Sequence, residues 1–146
     1  MLKALIVGST LLVCLTSAAT AGDLVGTWQT THAADSTGPS WVQTVTYFAN
    51  GTWVVEFAVP PLPNGTGSFV MHGGGTYQME GPTAVRVTFG DTTICGEGVG
   101  CMPAARFGSG GAALLPPAGT TKVYHFQFRG DDQVISEDGS ISVRIN

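Results

Sequence analysis

Charge is scarce in this chain. Asp, Glu, Lys and Arg make up 11% of its 146 residues, and Lys and Arg together number six against ten acidic residues. No basic cluster occurs, which excludes the electrostatic footprint of a nucleic-acid binder. Helical periodicity is missing as well. No stretch repeats apolar residues at i, i+3 and i+4 over several turns. Catalytic signatures are also absent. There is no G-x-S-x-G, and the acids Asp131, Asp132, Glu137 and Asp138 fall in turn sequences, where Asp is conformationally useful. No enzyme is expected. The three histidines, His32, His72 and His125, never stand at ligand spacing from one another. They read as surface or hydrogen-bonded side chains, and neither metal nor cofactor is expected.

Cysteine is sparse, and its placement is informative. Of three, Cys14 falls in an N-terminal leader. That leader opens Met1-Leu2-Lys3, runs apolar over 4–15 and ends Ala19-Thr20-Ala21, the small-x-small pattern of a signal-peptidase site. The apolar run is too short for a membrane span, and no other candidate span follows it. Cys14 follows Leu12-Val13 rather than a small residue, which argues against lipid attachment. Residues 1–21 are therefore expected to be a secretory signal peptide and 22–146 one domain, secreted or periplasmic. Cys95 and Cys101 remain, and in an oxidising compartment a disulfide is the expected state. Free thiols or a metal pair are the alternative.

What is present is strand and turn. The stretch 41–59 holds two alternating runs around Ala49-Asn50-Gly51. A two-residue Asn50-Gly51 loop would mix apolar and polar residues on both faces. A three-residue loop pairs Tyr47 with Trp53 and puts Trp41, Gln43, Val45, Tyr47, Trp53, Val55, Phe57 and Val59 on one face. The opposite face then carries Val42, Thr44, Thr46, Thr52, Val54, Glu56 and Ala58. That register buries more apolar area and suits a type I turn with Gly51 left-handed. The same device recurs twice. A loop at 81–83 aligns Met79 with Val85 and Tyr77 with Val87, and Glu137-Asp138-Gly139 sets Ile135 opposite Ile141, with Val143 and Ile145 continuing the apolar face.

Other strands are expected over 24–32, at 68–71 ahead of Gly73-Gly74-Gly75, and around Tyr124, Phe126 and Phe128. The prolines of 60–65 make a break. The sequons at Asn50 and Asn64 both place Asn-Gly where a turn needs it. The stretch 90–121 shows little strand signal and reads as a long loop holding the cysteines. Its Phe107, Leu114 and Leu115 need burial, which the open end of a barrel would offer. A meander without crossover helices closes most economically into an all-β, antiparallel up-and-down barrel of about eight strands, with a β-sandwich as runner-up.

Gly26-Thr27-Trp28 at the start of the first strand resembles the G-x-W motif of lipocalins and lipocalin-like bacterial domains. F-A-N-G-T-W at 48–53, G-G-T-Y-Q-M-E-G at 74–81 and a closing strand carrying Arg144 are similar to that group too. Together these short motifs span most of the chain after the leader. The T-D-Y motif of true lipocalins has no counterpart. The resemblance implies a calycin-type barrel closed at Gly26 and Trp28, with Arg144 lying over the Trp28 ring, and carriage of a small apolar molecule inside.

The candidate ligand-binding residues are accordingly Tyr47, Trp53, Phe57, Tyr77, Tyr124 and Phe126. By residue type Tyr47, Tyr77 and Tyr124 could orient a polar group; Glu56 ranks last because it faces out. If rings fill the interior, the alternative is a packed interaction module, an inhibitor or envelope-associated adaptor acting through its loops. The sequence identifies no protein partner.

Overall fold

The structure is a computed structural model that describes residues 23–34, 40–59, 68–98, 100–106 and 115–145. The expected leader, the triple-proline break, Asn64, Phe107 and Leu114 lie outside the described residues.

Among the described residues ten strands form: β1 Gly26–His32, β2 Trp41–Tyr47, β3 Thr52–Val59, β4 Phe69–Met79, β5 Ala84–Phe89, β6 Thr93–Gly96, β7 Gly100–Pro103, β8 Thr121–Phe128, β9 Gln133–Ser136 and β10 Ile141–Ile145. Eight of them run in the order β3-β2-β1-β10-β9-β8-β5-β4, and β4 pairs back onto β3. The sheet is thus a closed antiparallel barrel rather than a sandwich, and closure leaves no edge among those eight strands.

The three hairpin registers match the sequence reading. Tyr47 stands opposite Trp53, Tyr77 opposite Val87, and Ile135 opposite Ile141. At the first turn Phe48 N–H donates to Thr52 O at 2.9 Å, and Gly51 takes φ 81°, a conformation that favours glycine. The Asn50 Oδ1 accepts from the Thr52 amide at 3.0 Å and its hydroxyl at 2.6 Å.

Three expectations are corrected. First, β4 does not stop before the glycines but runs through them. Its first half pairs with β6 and its second half with β5, so the sheet forks at Gly73-Gly74-Gly75. A Cβ at Gly74 would lie 2.6 Å from the Trp53 carbonyl oxygen, and one at Gly75 would overlap that of Thr88. Glycine is required there by crowding, so its usual reading as a strand breaker fails. Second, 90–121 is not wholly a loop: β6 and β7 form a hairpin within it. Cys95 sits directly opposite Cys101 and the two are joined in a disulfide. Third, the apolar row of β10 faces outward. Ile141, Val143 and Ile145 are exposed, while Ser142 and Arg144 point in. Parity along β10 is set by Arg144 reaching Trp28, which forces its odd-numbered neighbours out.

The main core joins Leu24, Trp28, Trp53, Val55, Val85, Val87, Phe89, Phe126 and Val134, all buried. A smaller cluster of Met71, Ile94 and Ala104 sits where β6 leaves the barrel, and Leu115 packs against both. Among the described residues no helix is long and apolar enough to cross a membrane.

Candidate ligand-binding cavity

The two ends of the barrel are built differently. At one end β1 begins at Gly26 and β10 finishes. The Trp28 indole N–H donates to Leu24 O at 2.8 Å, which satisfies the one polar atom of a buried ring. Arg144 covers that ring, with its guanidinium carbon 4.3 Å from the ring centroid. The guanidinium also donates to Val25 O and Asp23 O, each at 2.6 Å, and to Asp131 O at 2.9 Å. A Cβ at Gly26 would strike the Arg144 guanidinium, so glycine is needed for that approach. Phe128 tilts against Trp28 at 6.2 Å. This end is a lid of side chains.

Above it lies a cavity of about 1190 Å³, open to solvent. That exceeds the roughly 300–1,000 Å³ common for small-molecule sites. Trp28, Val45, Tyr47, Trp53, Val55, Val85, Val87, Phe126 and Val134 line its depth. Toward the mouth, β3 and β5 present Phe57 and Phe89, and Leu115-Pro116-Pro117 lies beside them. Gly73 makes room for this segment: a Cβ there would stand 2.6 Å from Leu115 Cδ1. The missing side chain is a notch into which Leu115 fits.

The opposite wall is polar. Thr30, His32, Gln43, Ser136 and Ser142 line it from β1, β2, β9 and β10, with Glu137, Asp138 and Ser140 at the β9–β10 turn. Thr30 and Ser142 hydroxyls are 2.6 Å apart. The Asp138 Oδ1 accepts from the Ser140 hydroxyl at 2.7 Å and its amide at 2.9 Å. Those two hydrogen bonds, helped by nearby His32, hold the Asp138 carboxyl below its ordinary value. The His32 ring stacks on Trp41 at 3.7 Å.

Five of the six ligand-binding residues expected from the sequence line this cavity: Tyr47, Trp53, Phe57, Tyr124 and Phe126. Tyr77 does not. Its hydroxyl donates to Phe48 O at 2.9 Å, at the β2–β3 turn, and its ring meets Tyr47 edge-on at 5.0 Å. Burial raises the Tyr47 hydroxyl well above the ordinary tyrosine value, with the neighbouring Tyr124 and Tyr77 adding to it. It is a neutral hydrogen-bonding group at any physiological pH. Glu56 faces out and meets His72 at 3.5 Å, both half-exposed.

The sequence reading missed the polar wall. Its signal was available in the alternation itself. Thr30 and His32 are in phase with Trp28, and Ser142 is in phase with Arg144. Among the described residues no three of His, Cys, Asp and Glu are grouped to hold a metal ion. No family model matches the chain, and no curated protein or solved structure matches it either.

Proposed function

We propose that this protein is an extracytoplasmic, lipocalin-like binding protein that holds a small apolar molecule inside its barrel. The observation that carries the reading is the open cavity of about 1190 Å³ with a continuous apolar floor. An interaction module acting through its loops needs no such space, and a barrel filled by its own rings would leave none. The Cys95–Cys101 disulfide suits an oxidising compartment, in keeping with the leader expected at 1–21. The Arg144–Trp28 lid gives the barrel one sealed end, so a ligand would enter and leave by the other.

The test is titration with N-phenyl-1-naphthylamine, a neutral apolar fluorophore. Saturable binding at one probe per chain is expected. Val55→Trp projects an indole into the space and should weaken binding by about tenfold or more, since each ~1.4 kcal/mol of lost contact is a factor of ten. Circular dichroism should keep its β signal. Absence of saturable binding by the unaltered protein overturns the reading.

A further inference from the structure

The polar wall of the cavity is a continuous sector, not scattered hydroxyls. Thr30 of β1 is paired directly with Ser142 of β10, and the β9–β10 turn brings Ser140 and Asp138 to the same end. The facing wall is apolar at Phe57, Phe89 and Leu115, and its polar lining groups, Thr120, Lys122 and Tyr124, are confined to β8 and the residue before it. A ligand filling this space therefore has an apolar body and a hydrogen-bonding end, with that end held at the mouth.

The sector also says which kind of end. Its hydroxyls both donate and accept, and its carboxylates only accept. Hydroxyl oxygens keep lone pairs after the Thr30–Ser142 hydrogen bond is made, and a carboxylate has about four acceptor sites, of which Ser140 takes two. Asp138 is held ionised by those same contacts, yet among the described residues no Lys or Arg forms a salt bridge with it. Glu137 lines the mouth as a second carboxylate. Against these, Lys122 of β8 is the one Lys or Arg among the described residues that lines the cavity. An ammonium group is a pure donor with positive charge and matches such a wall, whereas a carboxylate head would meet the like charge of Asp138 and Glu137.

We propose that the ligand class is an amphiphile with a basic, ammonium-type head. Its chain occupies the apolar barrel, and its head rests against the Thr30–Ser142–Ser140 sector with Asp138 as counter-charge. This deepens the binding-protein reading above and rests on it.

Three probes of equal chain length separate the two ideas: dodecanol, dodecylamine and dodecanoate. Each competes with N-phenyl-1-naphthylamine at low ionic strength and about pH 7.5, where the amine is protonated and the acid ionised. Dodecanol should displace the fluorophore, as the apolar cavity requires. Dodecylamine should bind at least about fivefold more tightly than dodecanoate, the range open to a partly solvated charge pair, and salt should shrink that ratio. Asp138→Asn should bring the ratio to within about twofold, because Asn keeps the turn acceptor and loses the charge. Asp132→Asn, an equal change of net charge at the sealed end, should leave the ratio intact. A preference for dodecanoate, no preference at all, or a preference that survives Asp138→Asn overturns the basic-head proposal while dodecanol binding stands. Failure of dodecanol and the fluorophore to bind overturns the cavity reading and this proposal with it.

Discussion

The sealed end and the mouth are made from the same strands, yet they treat polar groups in opposite ways. At the sealed end the indole N–H of Trp28 and the Arg144 guanidinium are engaged with backbone carbonyls of the same chain. At the mouth Thr30, Ser142 and Asp138 have partners but keep acceptor sites facing the cavity. A polar group whose bonding is complete contributes rigidity; one whose bonding is incomplete is available to a ligand. The difference lies in satisfaction rather than in composition. It predicts that substitutions at one end change stability and those at the other change binding.

The largest effect should come from Trp28→Ala. Removing a buried indole costs about 3–5 kcal/mol through lost burial and the cavity left behind. Arg144→Ala should cost less, about 1–2 kcal/mol for the cation–π contact. In denaturant titrations the double mutant should fall short of the sum, because each single change already removes the shared contact. Strict additivity would mean that the seal is not one unit. Arg144→Lys should rescue little, since an ammonium cannot both stack flat and reach three carbonyls.

Smaller and more local is the disulfide. Its loop is short, with a sequence separation of 6, so chain entropy limits its contribution to about 2 kcal/mol. β6 and β7 stand outside the closed circuit of eight strands. Changing both Cys95 and Cys101 to Ser should therefore speed amide exchange in the β6–β7 hairpin and the first half of β4. Exchange in β1, β9 and β10 should hardly change. A uniform loss across the barrel would show that the hairpin supports the circuit rather than decorating it.

The barrel was legible in the sequence because its hairpins announce themselves. Ala49-Asn50-Gly51 fixes a register, and the register fixes a face; one hairpin so read places Tyr47, Trp53 and Phe57 inside. Long-range crowding was not legible. Nothing local to Gly73-Gly74-Gly75 reveals that Leu115 and the Thr88 carbonyl will lie against it, so a strand that forks looked like a strand that ends. Nor was β10 read properly. Ile141, Val143 and Ile145 outweigh Ser142 on hydrophobicity alone, yet they face solvent because Arg144 has to face Trp28. One charged residue with a fixed partner carries more information about parity than three aliphatic ones. The polar wall was missed with it, since reading β10 the other way round turns Ser142 outward.

The finest distinction between the two ends is their response to acid, and here the expected effect is smallest. The contacts of Arg144 at the sealed end are with backbone carbonyls, which have no proton to gain in the accessible range. At the mouth the Asp138 carboxylate is stabilised first by the Ser140 hydroxyl, then by the Ser140 amide, with His32 adding attraction. A carboxyl held below its ordinary value favours the folded state above the normal carboxylate range and loses that contribution as pH falls through its own lower value. Ser140→Ala removes the hydroxyl and leaves the amide, so the Asp138 carboxyl should titrate nearer 3.8, the ordinary value, without reaching it. Nuclear magnetic resonance of the Asp138 side-chain carbon reads this directly. Saturating dodecylamine should push the same carboxyl further down in the unaltered protein, because a bound cation favours the ionised form. If the amine binds and the Asp138 titration does not move, the head group lies elsewhere in the cavity. If Ser140→Ala leaves the titration unchanged, the turn does not hold the carboxylate, and the mouth has lost the charge that was meant to set it apart from the seal.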